Sequence, residues 1–215
     1  MPYLAQKQDC LVYSVGSALN DAFEQDVLKW APHCEVHTFD PTVDPVQAEA
    51  MARTGGYSFH SEGVSGKQTS GSTLKHGLLH TLNEIRASLG HTGRTLDILK
   101  IDCEGCEWEA LGELFELCGG PDEFPINQIQ VELHGIHEPE SYRNHYPKIK
   151  HFFDGADKCG LLIFHKERNS WGCNGYACLE YSLVQQTWAT TVFHQAYCPY
   201  TYLPPSSPHF ALASP

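Results

Sequence analysis

The sequence has few basic residues and no long apolar run. Among its 215 residues, 14 Lys and Arg stand against 26 Asp and Glu, so the formal net charge is −12. No two basic residues are adjacent. A charge of this sign repels phosphate backbones, and we therefore expect no nucleic-acid partner. The longest apolar run is four residues, so we expect no membrane span, which needs about 20.

The sequence also lacks recognisable targeting signals. No basic segment followed by an apolar stretch stands near its start, so no signal peptide is predicted. None of its six Asn lies in an N-x-Ser/Thr sequon. A cytoplasmic location is expected if the chain is complete, and the secretory pathway if an N-terminal segment has been removed. The sequence indicates no particular oligomeric state.

The nine cysteines are an odd number, so bridging the others would leave at least one thiol unpaired. Cys103 and Cys106 form a C-x-x-C pair, but no second such pair follows it. A chain of this length can bury a core without covalent staples. We therefore expect buried or reactive thiols rather than a structural zinc site.

The length predicts one domain, large enough to bury about 70% of its unfolded surface. We place this domain at residues 1–184, followed by an aromatic, Pro-rich C-terminal tail at 185–215 that is either packed or mobile. Its aromatic side chains would either stack on a sugar or ring or form the apolar underside of an extended segment. We favour the second alternative. These side chains are Trp188, Phe193, Tyr197, Tyr200 and Tyr202.

Apolar segments alternate with helical patterns along the chain. The predicted strands are residues 10–15, 35–39, 57–59, 96–101, 129–133, 161–164 and 177–184. The predicted helices lie near residues 21–30, 74–89, 108–115 and 147–153. This order predicts an α/β fold with a mostly parallel sheet and helices on both faces. Because no helix separates the final two strands, the last strand is expected to be antiparallel.

Capping signals set the ends of two of these helices. Asp21 followed by Glu24 is typical of a capping box at the start of the first helix. Ser72 or Thr73 is expected to begin the second helix, and Gly90 to end it.

Candidate site residues stand directly after the predicted strands, where open parallel sheets bind their ligands. Gly16 follows the first strand and either admits a ligand close to the backbone or simply forms a tight turn. A full G-x-G-x-x-G is missing, since Ala18 and Asp21 occupy the later glycine positions. Asp40 follows the second strand and either accepts two ribose hydroxyls or starts an Asp-Pro turn.

Two further strands end in acidic residues and a histidine. Asp102 and Glu104 suit a cation, a methionine ammonium group or a hydroxyl, although acids are also favoured at a helix start. Glu132 and His134 end the next strand. His134 is our candidate general base, with a packed rim histidine as the alternative and His137 as a second choice.

Residues 99–111 read Leu-Lys-Ile-Asp-Cys-Glu-Gly-Cys-Glu-Trp-Glu-Ala-Leu. They resemble the "LKIDxEGxExxxL" hallmark of the FkbM-type methyltransferases. Residues 12–16, Phe23-Glu24 and residues 39–42 are similar to the branch containing the animal methyltransferase-like twenty-four proteins. The resemblance covers roughly residues 9–184. It implies a Rossmann-like class I fold that binds S-adenosyl-L-methionine on a seven-stranded sheet whose last strand is antiparallel.

The resemblance also implies roles for individual residues. Gly16 would line the methionine part of the cofactor, Asp40 would hold the ribose, and Glu62 would lie near the adenine. Asp102 would face the methyl-transfer centre. Ser17, Glu24 and Pro41 complete the expected cofactor-binding set. Many relatives have a second glycine where this sequence has Asn20 and Asp21, so the first loop departs from the family pattern there.

We expect O-methylation of a hydroxyl on a small-molecule or glycan acceptor, with His134, Asp102 and Glu104 as the catalytic residues. The alternatives are a non-catalytic cofactor- or partner-binding relative and a nucleotide-dependent oxidoreductase. Asp102, Glu132 and His134 would be the ligands if a divalent metal took part. We favour a metal-free reaction, because the resembled family does not rely on a metal and a hard cation wants more oxygen ligands.

Overall fold

The computed structural model describes residues 2–134, 139–169 and 178–197. Its helices are α1 (Pro2–Gln6), α2 (Ala22–Trp30), α3 (Pro45–Gly55), α4 (Leu82–Ser88), α5 (Glu107–Leu117), α6 (Pro139–Lys158) and α7 (Gln186–Tyr197). Its strands are β1 (Leu11–Val15), β2 (Glu35–Phe39), β3 (Ser58–His60), β4 (Glu62–Val64), β5 (Thr73–Leu74), β6 (Gly77–His80), β7 (Ile98–Ile101), β8 (Gln128–His134), β9 (Leu161–Arg168) and β10 (Cys178–Gln185).

Seven strands form the main sheet in the order β3-β2-β1-β7-β8-β10-β9. β10 runs antiparallel to both of its neighbours, and the other pairs are parallel. The predicted sheet is therefore confirmed, including its antiparallel last strand. The strand order reverses between β1 and β7, which is where open α/β sheets bind their ligands.

Both faces of the sheet are buried at its centre, as is usual for parallel strands. Leu11, Tyr13 and Val15 of β1 pack with α4 and α5 in one apolar cluster. Val12, between them in sequence, packs on the opposite face with the cluster that contains Val27 of α2. All five residues of β1 are buried, so the strand is fixed from both sides.

The predicted helix over residues 74–89 is wrong in its first half. Residues 73–80 form β5 and β6, which build a three-stranded sheet with β4, and only Leu82–Ser88 is helical. Gly77 fits this arrangement because a Cβ there would lie 1.8 Å from the Ser61 carbonyl oxygen. The capping box is made by Thr81 and Glu84, not by Ser72 or Thr73. Gly90 follows the end of α4 with φ +73°, as predicted.

The capping box predicted at Asp21 and Glu24 is also wrong. Asp21 accepts no capping hydrogen bond from α2, and Asn20 Oδ1 instead accepts one from the Ala22 amide at 3.2 Å. The Glu24 carboxylate is turned towards the sheet, where Oε1 accepts from Thr38 Oγ1 at 2.8 Å.

Two other helices differ from the sequence prediction. α3 occupies residues that the periodicity left unassigned, and its signal is the Asp44-Pro45 pair. Asp44 Oδ1 accepts from the Gln47 amide at 2.9 Å, and Pro45 takes the first helical position. α6 is much longer than the predicted 147–153 and contains Pro147 in its interior.

The expectation of free thiols is wrong for at least five cysteines. Cys10 and Cys34 form a disulfide, as do Cys103 and Cys106. Cys178 is disulfide-bonded as well. Cys10 and Cys34 stand directly before β1 and β2, whose first residues pair in register, so their Cα atoms lie only 4.6 Å apart. Cys118 and Cys159 are buried free thiols, which agrees with the prediction.

The first part of the predicted tail is helical rather than extended. α7 covers residues 186–197, and the ring of Trp188 meets that of Tyr3 edge-on at 5.1 Å. The side chains of Phe193 and Tyr197, together with Tyr200 and Tyr202, lie outside the described residues. The domain boundary at residue 184 stays a prediction. Within the described ranges, no helix combines the length and apolar character that crossing a membrane requires.

Candidate functional site

A cavity of about 740 Å³ opens at the carboxyl edge of β1, β2 and β7, within the size range of small-molecule sites. The loops that follow these strands and β4 form its walls. Of the predicted residues, it is lined by Gly16, Ser17, Glu24, Asp40, Pro41, Asp102 and Glu104. Glu62 does not line the cavity, although its neighbours Gly63 and Val64 do.

Gly16 joins the β1 loop to the end of β7. Its φ is +78°, and a Cβ at this position would lie 1.6 Å from the Asp102 carbonyl oxygen. No other residue type fits such a contact. Lys100 ties the same elements together, because its Nζ donates to the Gly16 carbonyl and lies 3.7 Å from Asp102 Oδ2. Gly16 is therefore required by the turn and also leaves its backbone open to a ligand.

Asp40 is buried and organises the loop after β1. Its Oδ2 accepts from the amides of Ser17 and Ala18 at 3.0 and 2.9 Å. Its Oδ1 accepts from the Thr42 amide at 2.8 Å and from Thr42 Oγ1 at 2.6 Å. Burial alone would raise the pKa of Asp40, but these hydrogen bonds hold it below its usual value. Both oxygens are thus engaged within the protein, and the ribose role stays a prediction.

Glu24 lines this cavity and has one unsatisfied acceptor atom. The residue is buried, Oε1 accepts from Thr38, and Oε2 has no hydrogen-bond partner among the described residues. A buried polar atom without a partner costs roughly 1–3 kcal/mol. A ligand with hydroxyl or ammonium donors would remove this cost, so the cavity fits a nucleoside or amino-acid ligand.

The other predicted residues meet at the ends of β7 and β8. His134 Nε2 lies 3.7 Å from Asp102 Oδ1, 3.6 Å from Glu104 Oε2 and 3.9 Å from Glu132 Oε1. Glu104 adopts φ +58°, a backbone conformation that is rare outside glycine. Neither Asp102 nor Glu104 makes a capping hydrogen bond to α5 in the described structure. The helix-capping alternative is therefore not favoured.

Glu107, to which the sequence pattern assigned no role, holds His134 in place. It is fully buried, and Oε1 accepts from the His134 amide at 2.7 Å and pairs with His134 Nδ1 at 3.0 Å. Burial alone would lower the pKa of His134, but the carboxylates of Glu107, Glu104 and Glu132 raise it to about 9. A general base must begin unprotonated. The raised pKa opposes that role at neutral pH, and the role stays a prediction.

A smaller cavity of about 200 Å³ adjoins the first one along the sheet. The two cavities share Phe23, Lys100 and Asp102. The smaller cavity is also lined by Gln130, Glu132 and Glu180. Asp102 therefore stands at the junction of a cofactor-sized space and a smaller one. His137, the second candidate base, lies outside the described residues.

The model of a family described as a methyltransferase domain matches residues 2–185. The chain belongs to this family. The methyltransferase domain covers the whole main sheet and the cavity at its carboxyl edge, and S-adenosyl-L-methionine is its cofactor. Among proteins with curated functions, no significant match to this sequence is found.

Solved structures with a similar arrangement are distant. An uncharacterised protein of Listeria monocytogenes serotype 4b has 9% identity and a TM-score of 0.46, over 85% of this chain and 65% of that one. The N-methyltransferase NodS of Bradyrhizobium japonicum has 11% identity and a TM-score of 0.43, over 85% and 90%. M. jannaschii TYW2, solved with AdoMet, has 11% identity and a TM-score of 0.42, over 85% and 73%. Because these likenesses are weak, the fold assignment depends on the strand order and the family match.

Proposed function

We propose that this methyltransferase acts on a hydroxyl oxygen of a small-molecule or glycan acceptor, and that it lies in the FkbM-like branch. The observation that carries the proposal is the position of Asp102, which lines both the large cavity and the smaller cavity beside it. The FkbM-like motif of residues 99–111 supports the branch, since it includes the acids that meet His134.

The residues of the large cavity are suited to hold the cofactor. When bound, S-adenosyl-L-methionine supplies a methyl group on a positively charged sulfur. Glu24 lines this cavity, and its unpartnered Oε2 would accept from a hydroxyl or ammonium donor after a rotation of the side chain. The backbone of Gly16 and Ser17 forms one wall, kept in place by Asp40. Phe23 lines both cavities and would help to exclude water from the space between them.

The charge around Asp102 favours a hydroxyl over an amine as the acceptor. Asp102 and Glu104 face His134, and Glu132 and Glu180 line the smaller cavity. Carboxylates stabilise an ammonium ion, so they would hold an amine acceptor in its unreactive, protonated form. A hydroxyl instead donates a hydrogen bond to a carboxylate, which makes its oxygen a better nucleophile. The same carboxylates and the net charge of −12 disfavour a nucleic-acid acceptor.

Cofactor binding is tested by thermal unfolding with S-adenosylhomocysteine and, in parallel, with NAD. A ligand at 100 times its dissociation constant adds about 2.7 kcal/mol to the free energy of unfolding. We expect S-adenosylhomocysteine, but not NAD, to raise the melting temperature. The increase should be smaller in Glu24→Gln. A shift with NAD alone would overturn the proposal in favour of an oxidoreductase.

The acceptor class is tested with isotope-labelled S-adenosyl-L-methionine and matched panels of sugars, phenols and amines. We expect the labelled methyl group to be transferred to sugars or phenols. Transfer to amines alone would contradict O-methylation. Binding of cofactor without transfer to any panel would favour a non-catalytic relative.

We also propose that the chain works in an oxidising compartment. Disulfides persist in secreted and lumenal proteins and are rare in the cytosol. The bridges Cys10–Cys34 and Cys103–Cys106 and the bonded state of Cys178 support this location. Alkylation of the native protein before and after reduction tests it. We expect Cys10 and Cys34 to become alkylated only after reduction. Alkylation of these two residues before reduction would contradict the proposal.

A further inference from the structure

We propose that Asp102, Glu104 and His134 bind a divalent transition-metal cation at the junction of the two cavities. Their ligand atoms all lie within 4.8 Å of one another. The proposal extends the proposed function by naming what positions the acceptor. Cation binding itself is measured without methyl transfer.

The separations between these atoms suit a shared ion better than direct contacts. His134 Nε2 stands 3.7 Å from Asp102 Oδ1 and 3.6 Å from Glu104 Oε2. Both distances are too long for a hydrogen bond, which spans about 2.7–3.2 Å. They are shorter than about 4.2 Å, the separation of two ligands on opposite sides of an ion that each binds at about 2.1 Å. An ion in the middle can therefore reach all three atoms with small side-chain movements.

His134 provides an observation that does not depend on the acids. Its side chain is only 6% exposed, and Nε2 makes no hydrogen bond within the described ranges. Nε2 points at Asp102 and Glu104, which lie beyond hydrogen-bond distance. A cation between these groups would serve as the shared partner of the nitrogen and the two carboxylates.

Glu107 orients the histidine in the way that metal sites require. Ligating histidines commonly give their other ring nitrogen to a carboxylate, which fixes the ring and its tautomer. Glu107 Oε1 pairs with His134 Nδ1 at 3.0 Å and also holds the His134 amide. Nε2 is therefore left to face the two acids.

Neighbouring charges leave the required oxygens available. Lys100 Nζ lies 3.7 Å from Asp102 Oδ2, so Oδ1 is the oxygen directed at His134. Glu104 is 86% exposed and open to solvent, which provides a route of entry. Glu132 adds negative charge nearby, but its Oε1 accepts from Asn169 at 2.7 Å, and we do not count it as a ligand.

The donor set indicates which cation would bind. One imidazole and two carboxylates match Mn²⁺, Fe²⁺ or Zn²⁺ better than Ca²⁺, which takes six to eight oxygens. Three protein ligands also leave positions open, as in catalytic rather than structural sites. An acceptor hydroxyl bound there would lose its proton to water more easily, because a bound cation lowers its pKa. The sequence analysis considered Asp102, Glu132 and His134 as metal ligands and favoured a metal-free reaction. The site proposed here has Glu104 in place of Glu132.

The test is a titration of the full chain with Mn²⁺. Binding is measured as the loss of the electron paramagnetic resonance signal of the free ion. The titration is run at several pH values between about 7 and 9, because a ligating histidine must first release its proton. We expect one Mn²⁺ per chain. Glu104→Gln should weaken the affinity more than tenfold, and Glu107→Gln, which acts through His134, by about 10–100-fold.

Glu116→Gln is the matched control. Glu116 lies on α5, is 67% exposed and stands 3.5 Å from His151, so it is a carboxylate–histidine pair outside the site. Its Mn²⁺ affinity should equal that of the unmodified chain. No bound Mn²⁺, or equal affinities in Glu104→Gln and the unmodified chain, would overturn the metal site.

The increase in melting temperature with S-adenosylhomocysteine, measured on the same samples, distinguishes failure of the metal site from failure of the proposed function. If this increase is retained but no Mn²⁺ binds, only the metal site is overturned. Mn²⁺ binding without a shift supports the metal site and counts against the proposed function. Glu104 is exposed, so Glu104→Gln should fold normally, and circular dichroism checks this.

Discussion

Glu107 and His134 are joined twice, since Glu107 Oε1 accepts from the His134 amide at 2.7 Å and pairs with its Nδ1 at 3.0 Å. The other carboxylate oxygen accepts from the Gly105 amide at 3.0 Å. One buried side chain thus fixes the loop after β7 and the end of β8. The geometry of the proposed acceptor site depends on this link.

Replacing Glu107 should destabilise the fold as well as the site. Glu107→Ala leaves the buried His134 amide and ring without their acceptor, and we expect a loss of about 3–4 kcal/mol in the free energy of unfolding. Urea unfolding measures it. The exposed Glu116 gives the control, because Glu116→Ala should change stability by less than about 0.5 kcal/mol. Equal effects of the two substitutions would show that the Glu107 link is not structural.

Gly16→Ala should abolish binding of S-adenosylhomocysteine. The new Cβ would overlap the Asp102 carbonyl oxygen, which forces the β1 loop and the end of β7 apart. Gly93→Ala is the matched control, since Gly93 also has φ +87° but has no atom within 4 Å of the added Cβ. The control should cost about 1 kcal/mol and keep the thermal shift. A normal shift in Gly16→Ala would contradict the tight contact with Asp102.

The Cys10–Cys34 bridge should contribute strongly to stability. It closes a loop of 24 residues, for which the chain-entropy model gives about 3 kcal/mol. The double variant Cys10→Ala, Cys34→Ala should therefore unfold at a lower urea concentration. Removing Cys103 and Cys106 in the same way should cost less, because that loop spans only three residues. Equal losses would argue against the loop-entropy explanation.

A partly buried histidine cluster, formed by His37, His60 and His91, should make the protein sensitive to acid. His37 Nδ1 lies 2.8 Å from His60 Nε2, and His91 Nδ1 lies 2.6 Å from Tyr13 Oη. Burial, with charge repulsion from His37 and His91, lowers the pKa of His60 to about 4. Burial also lowers the pKa of His91.

The sign of the pH dependence follows from these lowered pKa values. The unfolded chain binds protons at His60 near pH 6.5, whereas the folded chain binds them near pH 4. The contribution of His60 is thus complete above about pH 6.5 and is lost as the pH falls towards 4, by about 2 kcal/mol. His60→Gln should flatten this slope in urea unfolding between the two pH values, whereas the exposed His151→Gln should not. An unchanged slope in His60→Gln would contradict the account.

The strands of the main sheet could be predicted because their apolar residues alternate or run continuously. β5 and β6 could not, since Leu74, Leu78 and Leu79 also fit the helical period. The Cys10–Cys34 bridge depends on the register of β1 with β2, which no local pattern specifies. The role of Glu107 was hidden for the same reason, because its partner His134 is 27 residues away in the sequence.

The cavity at the carboxyl edge of β1, β2 and β7 is the place where we expect S-adenosyl-L-methionine to bind. A crystal structure of the protein with S-adenosylhomocysteine tests this expectation. We expect ligand density between the Gly16 loop and Asp102, beside Glu24. Ligand density at another place on the chain, with this cavity empty, would contradict it.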